Sequence, residues 1–514
     1  MGYKKKTLLL IIIATLIRCI TAYSIELGND EVYYRMYAQQ LQWNYFDHPP
    51  MVGWLVRLTT FNLFFDTEFF IRLGAIISSA IATWLMFLSG KKLVNEHTGF
   101  VAALMYTACI YTSVIAGIFI LPDSPQVVCW MGGLYLLICI TESKTIASKK
   151  TGWLFWFGVI AGLGMLCKIH TVFLWLGFGL YILLYNRQWL RKPALYISAL
   201  ISLLFFYPVI KWNIDNHFIT FLYHGNRVNI AESGINIDDF FTFFGGQVFY
   251  TNPIIFVCVI IGLIAAFKNN IPVALSQKRM LLLTGIPLII IATIISFFKP
   301  VLPHWTGPGF CSLILLTAAY FTRTPKKQGA VRRVIPIAVM AANILLLVIL
   351  IGGVLSISFF PGTLGKKDAL QKGDGDFTLD MYGWKKMSKT FKGIYEKDHA
   401  APSKTVIVSN KWFPASHIDL YIARPLKIDV FVAGPLEDIH QYHWLNDQNK
   451  LNADSCDIYA IIPSNNYFSV KDIHLLKNRE PVSVDTVSQK RSGEEVRKFY
   501  IYHFPKDKYV FKEE

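Results

Sequence analysis

Asp30 and Glu31 stand side by side near the start of the stretch NDEVYYRMYAQQLQWNYFDHPP, and Asp47 and His48 close it just before Pro49 and Pro50. A plain connection between two apolar segments needs none of these groups. A carboxylate at the start of a helix stays ionised, the state required of a general base. The alternative use of Asp30 is an N-cap, because Asn29-Asp30-Glu31 precedes the helical pattern VYYRMYAQQL. The two uses are compatible. Glu31 is read either with Asp30 in the chemistry or as a complement to the helix dipole.

Further polar groups stand in short connections later in the chain. Asp123 lies in LPDSPQ, where Asp or Ser can cap a helix with Pro125 in its first turn. Lys168 and His170 lie in CKIHTVFL, His224 and Arg227 in YHGNRV, Gln247 in FFGGQ, and Lys299 and His304 in KPVLPHW. Lys168 in its apolar setting and Arg227 suit an anion such as phosphate, Arg through a bidentate grip; the alternative for Lys168 is snorkelling to an interface. Arg18 and Arg72 fall inside apolar segments, where snorkelling or helix pairing is the reading.

These groups have to be positioned by membrane helices. Of the 514 residues 54% are hydrophobic and 16% charged, which is too apolar for a soluble chain of this size. Eleven segments are long and apolar enough to read as spans, at 7–25, 68–90, 99–120, 125–142, 153–167, 170–185, 194–212, 241–267, 280–298, 305–322 and 334–358. The first is expected to remain as a helix and not to be cleaved as a signal peptide. The net charge of +16 gathers in the connections: alternate ones hold 19 Lys and Arg against 6 in the others, the 6 including Lys211 at the end of a span. That bias places the N-terminus inside and residues after about 359 outside. It also accounts for the positive charge without nucleic acid, for which no motif is present. The eight cysteines form no CxxC pair and no Cys/His cluster, so neither disulfides nor zinc are implied.

The sequence therefore reads as a polytopic α-helical membrane domain over residues 1–358 and a small α/β extracytoplasmic domain over 359–514. The strands of the second are expected in KTVIVSN, LKIDVFV, DIYAIIP and RKFYIYHF. All the singled-out polar residues fall on one face. A transporter places its site near the midplane of the bilayer, on broken helices in repeated halves, and no repeat is found here. One-sided polar groups suit a substrate with a lipid tail in the membrane and a polar head in water. The remaining alternatives are a lipid-linked-sugar flippase and a non-catalytic membrane sensor.

The stretches quoted above, from NDEVYYRMYAQQLQWNYFDHPPMVGWLVRL to KPVLPHWTGPG, resemble the bacterial branch of the dolichyl-phosphate-mannose protein mannosyltransferase superfamily over about residues 1–320. The branch includes lipid A aminoarabinose and galacturonosyl transferases. The resemblance implies a membrane-embedded C-type glycosyltransferase fold. It also implies transfer, with inversion, of a sugar from a polyprenyl-phosphate donor to a lipid A, glycan or protein acceptor at the bacterial inner membrane. In that frame Asp30 is the essential acid, with Glu31 and Asp123 beside it in the catalytic set. Lys168, Arg227 and His48 hold the donor phosphate, and Asp47, Tyr34, Gln247 and His304 are further site candidates. Asp30 and Asp123 are also the candidate ligands of a divalent cation, Mg²⁺ or Mn²⁺, although two carboxylates are few for such a site. The sequence departs from the family at His48, where the aminoarabinose transferase has lysine. A peptide-directed oligosaccharide transferase would carry a Trp-Trp-Asp motif in its tail, which is absent here.

Overall fold

The computed structural model describes residues 1–142, 148–231, 233–323, 331–398, 404–448 and 456–506. The basic connections around Lys144 and around Lys326 and Lys327, which contribute to the charge bias, lie outside the described residues. The chain divides into two units, one of Met1–Ala22 with Tyr37–Leu350 and the other of Tyr23–Met36 with Ile351–Glu514.

The first unit is helical and apolar. Among the described residues six helices are long and apolar enough to cross a membrane: Tyr3–Ser24, Glu68–Leu93, Asp123–Ile140, Pro193–Asp215, Leu275–Ile295 and Pro336–Phe359, the last running on into the second unit. Each coincides with an expected span. The expected span over 241–267 is a bent pair, Ile237–Thr251 and Pro253–Phe267, with a 95° break. The break has a local cause. Asn252 sits at φ 73° before a proline, and its side chain caps Ile254 N–H while donating to the carbonyls of Ala108 and Ala342. Thr151–Cys167 and Ile169–Tyr185 are shorter apolar helices. The expected span over 99–120 is a helix, Glu96–Ala108, followed by a widened π-type turn at Tyr111–Ile115. The core gathers large side chains, among them Tyr106, Trp130 and Phe178.

The second unit contains a five-stranded mixed sheet. Its strands are β1 (Thr405–Ser409), β2 (Asp429–Val432), β3 (Asp457–Pro463), β4 (Ser483–Arg491) and β5 (Glu494–Phe504), in the order β2-β1-β3-β5-β4. β1 runs parallel to β2 and β3, and β5 antiparallel to β3 and β4. Four strands lie where the β-branched and aromatic runs place them. β4 was not expected, because SVDTVSQKR has no continuous apolar face. It is an edge strand, joined to β5 through Ser492 and Gly493, both at positive φ as a two-residue hairpin turn requires. Buried Arg491 donates to the carbonyls of Ile357, Phe360 and Gly362 and so fixes the chain that enters this unit.

Candidate functional site

Asp123 and Lys168 form a buried ion pair in the first unit. Lys168 Nζ donates to Asp123 Oδ2 at 2.7 Å, and Tyr111 Oη donates to Oδ1 at 3.1 Å. Asp123 is 2% exposed and Lys168 3%. Asp123 begins the helix Asp123–Ile140, yet it does not supply the cap. The Ser124 hydroxyl accepts from Leu121 N–H at 3.2 Å, just ahead of the helix, and the Asp123 carboxylate is taken up by Lys168 and Tyr111. Lys168 sits in extended backbone between two apolar helices, which turns its side chain inward. The Tyr111 ring lies where Gly307 has no Cβ, since an added one would fall 2.3 Å from it.

A cavity of about 250 Å³ adjoins the pair. Its lining combines apolar side chains, Phe173, Phe206, Val209 and Phe221 among others, with Asp47, His48, Lys168, His170 and His224. The Asp47-His48 loop is compact. Tyr37 Oη donates to Asp47 Oδ1, the rings of Tyr37 and Tyr45 stack at 3.7 Å, and Tyr45 N–H donates to the His48 carbonyl at 3.1 Å. His224 bonds the Asp47 carbonyl, and its ring lies 5.6 Å from that of His48. Arg227 is one turn along from His224, its guanidinium 5.5 Å from the Trp305 ring and 5.7 Å from Tyr223. His304 and Trp305 lie on the turn Pro303–Thr306.

Gln247 holds that turn. Its Nε2 donates to the Pro303 carbonyl at 3.0 Å, and its Oε1 accepts from Thr306 Oγ1 at 2.7 Å. Gly246 lets the turn approach, because a Cβ there would fall 2.2 Å from the Pro303 ring. Both ends of the Gln247 amide are thus taken up in positioning His304 and Trp305. The structure adds Trp305 to the residues singled out from sequence and brings His170 and His224, both named there without a role, to the cavity.

Asp30, Glu31 and Tyr34 belong to the second unit. The helix Asn29–Tyr37 is capped by Glu31, whose Oε2 accepts from Gly28 N–H at 2.9 Å. Glu31 is 2% exposed and Tyr34 5%, whereas Asp30 is exposed. In both acidic stretches the residue after the acid reaches back three positions to a backbone N–H, Glu31 to Gly28 and Ser124 to Leu121.

Residues 47–212 match the family described as dolichyl-phosphate-mannose-protein mannosyltransferase. That match covers about a third of the chain. Curated relatives include the lipid A galacturonosyltransferase RgtD of Rhizobium johnstonii, 21% identical over 299 residues, covering 58% of this chain and 61% of that protein. Another is the undecaprenyl phosphate-alpha-4-amino-4-deoxy-L-arabinose arabinosyl transferase of Yersinia enterocolitica, 27% identical over 125 residues, covering 24% of this chain and 22% of that protein. The chain thus spans less than two thirds of the length of either relative. Among solved structures, ArnT from Cupriavidus metallidurans bound to undecaprenyl phosphate aligns with a TM-score of 0.63 at 14% identity, over 97% of this chain and 98% of that one. This last likeness is one of fold: a helical membrane-type protein with a small C-terminal sheet domain.

The cation expected at Asp30 and Asp123 meets a donor set that does not fit it at Asp123. One oxygen of that carboxylate accepts from an ammonium and the other from a phenol. Among the described residues no group of three or more His, Cys, Asp or Glu is placed to hold a metal ion.

His48 is held neutral. Burial, and then the charges of His224, Lys168, His170 and Arg227, push its pKa well below 6.5. His224 is lowered chiefly by burial as well, and His304 is held near 4 by burial. Protonated His48 binds phosphate better than neutral His48, so donor affinity is lost as pH rises through this low pKa. A phosphate beside an otherwise ordinary histidine would put that loss near or above neutrality; the surroundings of His48 move it to the acid side. Donor KM is expected to be flat from about pH 7 to 8.5 and to tighten only below about 6.5, the ordinary His value. His48→Lys should bind the donor more tightly across the whole range, and His48→Gln should lose the acid tightening. Identical KM profiles for all three proteins would leave His48 with only a loop-shaping role.

Proposed function

We propose that this protein is an integral-membrane inverting glycosyltransferase that moves a sugar from a polyprenyl-phosphate donor to a hydroxyl of a lipid A, glycan or protein acceptor. The observation that carries this reading is the cavity, whose lining supplies apolar side chains suited to an isoprenoid tail together with Lys168 and histidines suited to its phosphate. The family match supports the reaction class, as do the two relatives named for lipid A and for an undecaprenyl-phosphate donor.

In the reaction Asp30 accepts the proton of the acceptor hydroxyl as its oxygen attacks the anomeric carbon. The bond from that carbon to the lipid phosphate breaks, and the phosphate leaves with the electron pair. Lys168, Arg227 and, when protonated, His48 stabilise the developing phosphate charge, which is the electrostatic share of the work. Asp123 orients the Lys168 ammonium. Asp47 and Tyr37 shape the His48 loop, Gln247 sets the His304 turn, and Glu31 and Tyr34 build the helix that carries Asp30. Residues 1–358 form the membrane-embedded domain, with eleven passes, and 359–514 the extracytoplasmic domain, with the site on that same side of the inner membrane.

Purified protein in detergent, given a panel of synthetic undecaprenyl-phosphate sugars with lipid A, glycan or peptide acceptors, is expected to transfer sugar and release undecaprenyl phosphate. A folded protein that consumes no donor in the panel would reduce the reading to lipid binding. The orientation has its own test. A periplasmic-phosphatase reporter fused after Glu514 should be active and one after Lys327 silent, following the charge bias. A silent C-terminal fusion that expresses normally would overturn the odd number of passes.

A further inference from the structure

Tyr23–Met36 is distant in sequence from residues 351–514, yet it packs with them as one unit. Its bonds to that region are numerous. Glu26 accepts from the backbone N–H groups of Trp384 at 2.7 Å and Lys385 at 3.1 Å. Leu27 N–H donates to Tyr421 Oη at 2.9 Å. The Tyr33 ring lies 5.1 Å from Trp412, and Tyr33 Oη accepts from Gln441 N–H at 3.3 Å.

Asn29, the residue before Asp30, is held at its side-chain amide. Its Oδ1 is 3.0 Å from His417 Nε2, and its side chain also bonds the Asp380 carboxylate. An amide oxygen can only accept, so His417 Nε2 donates to Asn29 Oδ1, and Asn29 Nδ2 is the group that donates to Asp380. That assignment makes His417 the Nε2–H tautomer. Its ring is fully buried and stacks on Trp384 at 4.3 Å, and burial pushes its pKa well below 6.5. Asp380 faces Asp30, Arg497 and Asp376. Its carboxyl is pushed up to about 7 by burial, against the opposing pull of Asn29 and Arg497, with the charges of Asp30 and Asp376 adding to the rise. Asp30 and Asp380 are therefore within electrostatic reach of each other.

An exposed acid in the first turn of a nine-residue helix is poorly placed to act as a base unless that turn is held. We propose that the C-terminal unit is a working part of the transferase, and that the Asp380–Asn29–His417 chain of hydrogen bonds positions Asp30. Asp380 and His417 are then positioning residues. The inference rests on the reading of Asp30 as the base, and it gives residues 351–514 a role in turnover.

The test uses the full chain and two readouts. One is hydrogen–deuterium exchange of the amides at 29–33. The other is undecaprenyl phosphate release from whichever panel donor turns over fastest. Asp380→Ala should exchange about tenfold faster there and lose about 10- to 100-fold in kcat, with donor KM within about twofold, as for a misplaced catalytic group. Asp380→Asn still accepts from Asn29 and should stay near wild type in both. The double variant Asp380→Ala/Asn29→Ala should be no worse than either single one, because both break the same chain. Unchanged exchange or kcat in Asp380→Ala, or additive losses in the double variant, would overturn the proposal. If Asp380→Ala does not fold, Asn29→Ala and His417→Gln carry the same two readouts. Normal turnover by Asp30→Asn would overturn the base reading beneath the inference; an inactive Asp30→Asn beside a normal Asp380→Ala overturns the positioning role alone.

Discussion

Asp30→Asn is expected to yield a protein that folds, binds donor and transfers almost no sugar. The substitution removes the group that takes the acceptor proton, and loss of a general base typically costs 10²–10⁴-fold, about 3–5 kcal/mol of transition-state stabilisation. The competing use of Asp30, capping its helix, is worth only about 1 kcal/mol of stability. The structure weakens that competitor, because Glu31 makes the bond back to Gly28 N–H. The two residues should therefore separate cleanly. Asp30→Asn should lose kcat with little change in thermal midpoint, whereas Glu31→Ala should lose thermal stability and retain most of its turnover. Near-normal turnover by a well-folded Asp30→Asn protein would remove Asp30 from the chemistry.

That separation marks where the sequence was legible. An acid-acid pair ahead of a helical pattern is visible in a linear reading, but which acid caps and which is left exposed depends on a three-residue reach in space. The long apolar helices were legible because about 20 consecutive apolar residues have few other uses. The break at Asn252 was not, because its geometry depends on the carbonyls of Ala108 and Ala342, far away in the chain. β4 escaped notice because an edge strand needs no apolar face of its own. The largest gap was the tail. Nothing in its composition announces that His417 bonds Asn29, a residue 388 positions earlier. Composition reports what a segment can bury, and this bond reports which partner it buries against.

The second large effect is expected at Lys168. Lys168→Met leaves the Asp123 carboxylate buried without its ammonium, and breaking one side of a buried pair typically costs about 3–5 kcal/mol. Asp123→Asn leaves the ammonium in the same difficulty, relieved in part by the cavity beside it. Both single variants should unfold at clearly lower temperature than wild type. The double variant Lys168→Met/Asp123→Asn removes both charges, and a neutral pair of similar volume should recover most of the lost stability. Function should not recover with it, because the cation proposed to meet the lipid phosphate is gone. Donor KM should stay high and turnover low in the stable double variant. This split between stability and activity distinguishes two jobs for one side chain, counter-ion to Asp123 and ligand to the donor. If the double variant regains transfer together with stability, Lys168 serves the fold alone, and Arg227 becomes the principal cation for the departing phosphate. If Lys168→Met is as stable as wild type, the pair is not the buried, charged contact that its 2.7 Å geometry describes.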